Sequence, residues 1–94
     1  MTELDALRSE IDAVDEKLVR ALARRFEIVT QVAEYKARTG TPMMQSDRVR
    51  AVGERSAALA EDHGLDPAIV RRFFDLLIEE TCAFEDRRIA EATR

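Results

Sequence analysis

The 94-residue sequence has one cysteine and no tryptophan, so no intrachain disulfide can staple it. Aromatics make up 5%, and there are only three Gly and two Pro. So few turn formers and aromatics, with charged residues at 36%, describe a helical chain. No apolar run approaches the roughly 18 residues of a membrane span, and the N-terminus carries no signal-peptide pattern. The expectation is a soluble, cytoplasmic protein. Positive charge is not in excess either: 15 Lys+Arg against 19 Asp+Glu give a net charge of −4, which argues against nucleic acid or an anionic membrane as partner. H-E-x-x-H, Cys/His clusters, Gly-rich phosphate loops and G-x-S-x-G are all missing, so no metal or cofactor is expected and no activated nucleophile is visible. A chain of this length reads as one domain, residues 1–94, whose modest core would gain from oligomerisation.

What is present is a long apolar seam from about Leu4 to Lys36. Leu4, Ile11, Leu18 and Val32 take one heptad position, while Leu7, Val14, Ala21, Ile28 and Tyr35 take the other. No Pro or Gly interrupts the run, Thr2 or an early Asp can cap it, and Gly40 can end it. A helix of about 35 residues spans roughly 50 Å, whereas a compact chain of this size has a diameter of roughly 32 Å. The helix overhangs any monomeric fold. Its seam therefore calls for a partner, most simply a second copy.

One seam position is occupied by Arg25, where an apolar residue belongs. A guanidinium cannot be deprotonated in place, so burying it needs anionic company. Lys36 follows eleven residues on, roughly 16 Å along the axis and within about 20° of the same face. Two inward cations at that spacing look like half of an anion pocket.

After a loop through Thr41-Pro42-Met43-Met44-Gln45, Ser46 is suited to cap a second helix from Asp47 to Asp62, with Val49, Val52, Leu59 and alanines inward. Gly53 inside it costs about 1 kcal/mol relative to Ala, which suggests close approach of another backbone or a ligand. Asp66-Pro67 starts a third helix, running to about Arg88 and apolar on most faces. Cys82 reads as a reduced core residue, His63 as a solvated or capping residue, and Glu79-Glu80 as a solvated face. Arg8 and Arg48 taken alone are surface charges. Thr81 and Glu85 lie four apart on the stripe that continues Phe74 and Leu77.

This combination resembles the all-helical chorismate mutases over nearly the whole chain. The likeness is carried by Leu7-Arg8-Ser9-Glu10-Ile11-Asp12, Asp15-Glu16-Lys17-Leu18, Arg24-Arg25, Lys36, Asp47-Arg48 and Gly64-Leu65-Asp66. It implies an all-α, three-helix chain forming an intertwined homodimer with shared active sites for a small dicarboxylate. The residue matching Arg8 would enter from the other protomer, and those matching Arg25, Lys36, Arg48, Thr81 and Glu85 would come from one chain. Independently, Arg8 lies 28 residues from Lys36, roughly 42 Å along the helix, so one subunit cannot bring both to a small molecule. The implied roles are carboxylate binding by Arg8 and Arg25, with donation to the breaking ether by Lys36 and, if protonated, Glu85.

Two departures alter recognition of the substrate's C4 substituent. Commoner members have an acidic residue where Gln45 stands and a Glu where Val49 stands. The Pro42-to-Gln45 segment, Arg48-Val49 and Cys82 through Asp86 look more like secondary-metabolic members, the 4-amino-4-deoxychorismate mutases among them. Gln45 fits a hydroxyl or an amine. Isochorismate-pyruvate lyase, which shares the scaffold and tends to have Arg-Val at 48–49, and a non-catalytic dianion-binding dimer are the alternatives.

Overall fold

Thr2 opens the chain with a reciprocal cap. Its hydroxyl accepts from the Asp5 N–H at 3.1 Å, and the Asp5 carboxylate accepts from the Thr2 N–H at 3.1 Å. Two orphan donors are thus satisfied, and the Thr2 backbone N–H, followed by its hydroxyl, holds the exposed Asp5 carboxyl below the usual carboxylate range. In the computed structural model, which describes residues 2–93, helix α1 then runs unbroken over Glu3–Thr39 and stops at Gly40, whose φ of 71° is left-handed. That is the end expected at Gly40, and it leaves Lys36 and Arg38 in the last turn, where cations oppose the helix dipole.

Helix α2 covers Ser46–Asp62. Ser46 is not its cap: Gln45 is, through its backbone, with its carbonyl accepting from Arg48 and Val49 and its side chain left free. Helix α3 covers Pro67–Ala92 and starts as expected, with the Asp66 carboxylate accepting from Ala68 N–H at 2.9 Å. It continues four residues beyond the expected Arg88. All three described elements are helices.

Helix α3 is the middle of the fold. It packs against both α1 and α2, which do not approach each other. Phe26 and Phe84 meet edge to face at 5.1 Å and fasten α1 to α3. On α2 the buried residues are small, Gly53, Ser56 and Ala60. The neighbour that Gly53 admits is not another backbone. It is the Arg71 side chain from α3, whose Cζ would lie 2.7 Å from an added Cβ.

The apolar interior of this single chain is very small: Val29, Ala33 and Ala60 are its buried apolar side chains among the described residues. The seam residues Leu4, Leu7, Ile11, Val14 and Leu18 are all about half exposed or more, and so are Phe73 and Leu76 of α3. Leu59, expected inward, is 41% exposed. The Cα radius of gyration is 16.8 Å and the longest dimension 55 Å. A compact chain of this size would have a radius of about 12 Å. The excess is the free N-terminal half of α1.

Candidate active site

Because α1 and α2 flank α3 without meeting, a hollow of about 360 Å³ remains between the three helices. That is within the range of small-molecule sites. Its wall is apolar, with Val29 and Val32 from α1, Val49 and Val52 from α2, and Ile78 from α3. Arg25, Lys36, Gln45, Arg48, Thr81 and Glu85 all line it. Six of the seven residues singled out from the sequence are therefore brought together. The seventh, Arg8, is exposed on the free half of α1 and away from the cavity in its own chain.

Lys36 is fixed on two sides. Its Nζ donates to Glu85 Oε1 at 2.7 Å and to the Met43 carbonyl at 2.8 Å. Both side chains of the pair are nine-tenths buried or slightly more, so water screens the attraction little. An ammonium has three donors, and the third is left for whatever enters. The bond also ties the end of α1 to α3.

Arg25 is held differently. Its Nη1 donates to Thr81 Oγ1 at 2.6 Å, and the Thr81 hydroxyl donates to the Leu77 carbonyl at 2.6 Å. Among the described residues no carboxylate lies within ion-pair distance of Arg25. Burial and the repulsion of Arg48 push its guanidinium below the ordinary arginine value, with Glu85 opposing. It remains a cation at neutral pH. The hollow thus presents three cations, Arg25, Lys36 and Arg48, to one carboxylate, Glu85, on an apolar background. An incoming anion finds a positive seat that the protein itself does not neutralise.

Two contributors escaped the sequence reasoning. The Met43 carbonyl is a main-chain acceptor, and no side-chain pattern marks one. Cys82, read as core, is half-buried on the cavity wall beside Thr81. Its position next to Thr81 and three residues before Glu85 was the available signal.

The family profile described as chorismate mutase type II matches residues 7–86. The chain belongs to that family. Among its relatives, a 4-amino-4-deoxychorismate mutase of Streptomyces pristinaespiralis is 45% identical over 93% of this chain and 67% of its own length. A protein of the same name from Streptomyces venezuelae is 44% identical over 89% of this chain and 82% of its own. A bifunctional chorismate mutase/prephenate dehydratase of Escherichia coli is 40% identical over 81% of this chain, but over only 20% of its own length. The match to type II chorismate mutases spans all three helices and every residue of the cavity.

Proposed function

We propose that this chain catalyses the intramolecular Claisen rearrangement of a chorismate-type dianion, with 4-amino-4-deoxychorismate preferred over chorismate. The observation that carries the reaction is the unneutralised Arg25 beside the pinned Lys36 in one apolar-walled cavity. A concerted pericyclic shift needs no nucleophile and no obligatory proton transfer. It needs the flexible substrate held in its reactive conformer and charge stabilised at the breaking ether. Arg25 and Arg8 of a second copy each take one carboxylate in bidentate fashion. The free Lys36 donor meets the ether oxygen as it gains negative charge, Glu85 in its protonated form donates beside it, and Arg48 adds positive potential. The donation from Glu85 holds only if it is protonated there; ionised, it orients Lys36 instead. Even about 8 kcal/mol of such differential stabilisation amounts to roughly 10⁶-fold.

The enzyme in this reading is a homodimer working in the cytoplasm, its sites shared between chains of one domain each. The overhanging α1 and its exposed seam support that assembly. Preference for the 4-amino substrate rests on the two Streptomyces relatives and on Gln45, whose uncommitted side chain can accept from an amine.

Purified protein offered chorismate and 4-amino-4-deoxychorismate together should consume the amino compound faster. Faster consumption of chorismate would reverse the assignment, and release of pyruvate from isochorismate would identify a lyase instead. Tight binding of the dianions without turnover would make the protein a binding module.

A further inference from the structure

The directions of the two hydrogen bonds at Thr81 are forced. A carbonyl oxygen has no proton and a guanidinium no lone pair. The single hydroxyl proton of Thr81 therefore goes to Leu77, and its oxygen accepts from Arg25. With its proton committed to Leu77 at 2.6 Å, the hydroxyl faces the cavity side as an acceptor. An acceptor repels a carboxylate but suits a guanidinium. Thr81 is itself buried, at 8% exposure, and belongs to the straight run of α3, so it offers a fixed seat.

Arg25 needs one. Burial disfavours its charge and Arg48 repels it, with Glu85 opposing, and among the described residues the Thr81 oxygen is the acceptor its guanidinium meets. We propose that Thr81 is a positioning residue, aiming the Arg25 guanidinium at the substrate's carboxylate instead of binding the substrate itself. The role of Arg25 as carboxylate anchor rests on the reaction proposed above. The placement of its guanidinium by Thr81 does not.

The test uses Thr81→Val, which keeps the shape and removes the acceptor, Thr81→Ser, which keeps the acceptor, and Thr81→Ala as a second deletion should valine pack poorly. In ¹⁵N-resolved spectra of the free protein, with the Arg25 signals assigned through Arg25→Lys, hindered rotation about Cζ–Nη1 should be visible in wild type and Thr81→Ser and averaged away in Thr81→Val. Since a uniformly bound carboxylate anchor acts on KM, Thr81→Val should raise KM about tenfold or more, as expected for losing a hydrogen bond to a charged group, with kcat nearly unchanged. Arg25 signals indifferent to Thr81→Val would overturn the proposal. A fall in kcat at constant KM would do the same, since it would make Thr81 a direct donor. If the Arg25 signals respond but no chorismate-type substrate is turned over, the positioning role stands and the assigned reaction falls.

Discussion

Replacing Glu85 by glutamine separates what the carboxylate does for the fold from what it does for the reaction. In the free protein Glu85 Oε1 accepts from Lys36 at 2.7 Å, with both side chains nearly buried. A glutamine amide oxygen can accept in the same place, so the substitution removes only the charge assistance, about 1 kcal/mol of stability. Glu85→Ala is harsher, because it leaves the Lys36 ammonium buried with the Met43 carbonyl as its remaining partner. Breaking a buried pair in this way costs about 3–5 kcal/mol, a large share of the roughly 5–15 kcal/mol that holds a domain folded. In the reaction the balance reverses. In the proposed reaction the ether oxygen would gain negative charge next to Glu85, and an ionised carboxylate there would repel it, whereas a neutral donor would hold it. A dianion arriving at Lys36 also competes with the carboxylate for the ammonium. We therefore expect Glu85→Gln, a permanent N–H donor, to keep or raise kcat, whereas Glu85→Ala, with no donor there, should lose about tenfold or more, as for one hydrogen bond to a charged group. The comparison belongs in kcat, which reports groups acting in the substrate complex. Steady-state rates at neutral pH, with thermal unfolding of both variants, test the whole argument. Loss of kcat in Glu85→Gln as deep as in Glu85→Ala would refute it and leave Glu85 as the ionised holder of Lys36.

Arg25→Ala should abolish substrate binding, and with it turnover at attainable substrate concentrations, while lowering stability far less than activity, because the arginine has no carboxylate partner to lose and is repelled by Arg48. Titration calorimetry with a dicarboxylate analogue reads the binding, and near-normal kcat/KM would exclude the assigned pocket. Sedimentation at micromolar concentration should find a dimer, and a stable helical monomer would contradict the reading of the exposed seam. Thr2→Ala should cost about 1 kcal/mol through the lost cap. The carboxyl of Asp5 is held low in the folded state, so its contribution is complete at neutral pH and disappears as pH falls through that depressed value. Acid titration of Asp5→Asn, followed by circular dichroism, should lack this acid-range loss.

The long helix was legible because one periodic pattern ran without Gly or Pro from residue 4 onward, and Arg25 was conspicuous only against that pattern. Charges on an ordinary surface helix would not have been. The ends were less readable. Ser46 looks like a cap, but the backbone turn at Gln45 begins the helix one residue earlier, and no side-chain preference encodes that choice. Gly53 signalled a close approach without naming the visitor, since the arginine that fills the space lies on another helix eighteen residues away in sequence. Leu59 reads as inward, and Phe73 belongs to a helix apolar on most faces, yet both stay exposed in this chain. Burying them would take a surface outside the chain, which hydrophobic periodicity does not identify. The acceptors at Met43 and Leu77 are main-chain atoms, invisible until the fold sets their direction.

The separation of Arg8 from Arg25 along one rigid rod also has a genetic consequence. In a dimer with shared sites, each cavity draws these two arginines from different polypeptides, so defects in them are complementable. Chains carrying Arg8→Ala and chains carrying Arg25→Ala would each assemble into dead homodimers. Co-expressed, they pair at random, and each mixed dimer regains one cavity with both arginines while its other cavity lacks both. About a quarter of all cavities then work. Two null alleles in one cell would restore activity where either alone could not, a pattern ordinarily taken to mean that the lesions lie in different genes.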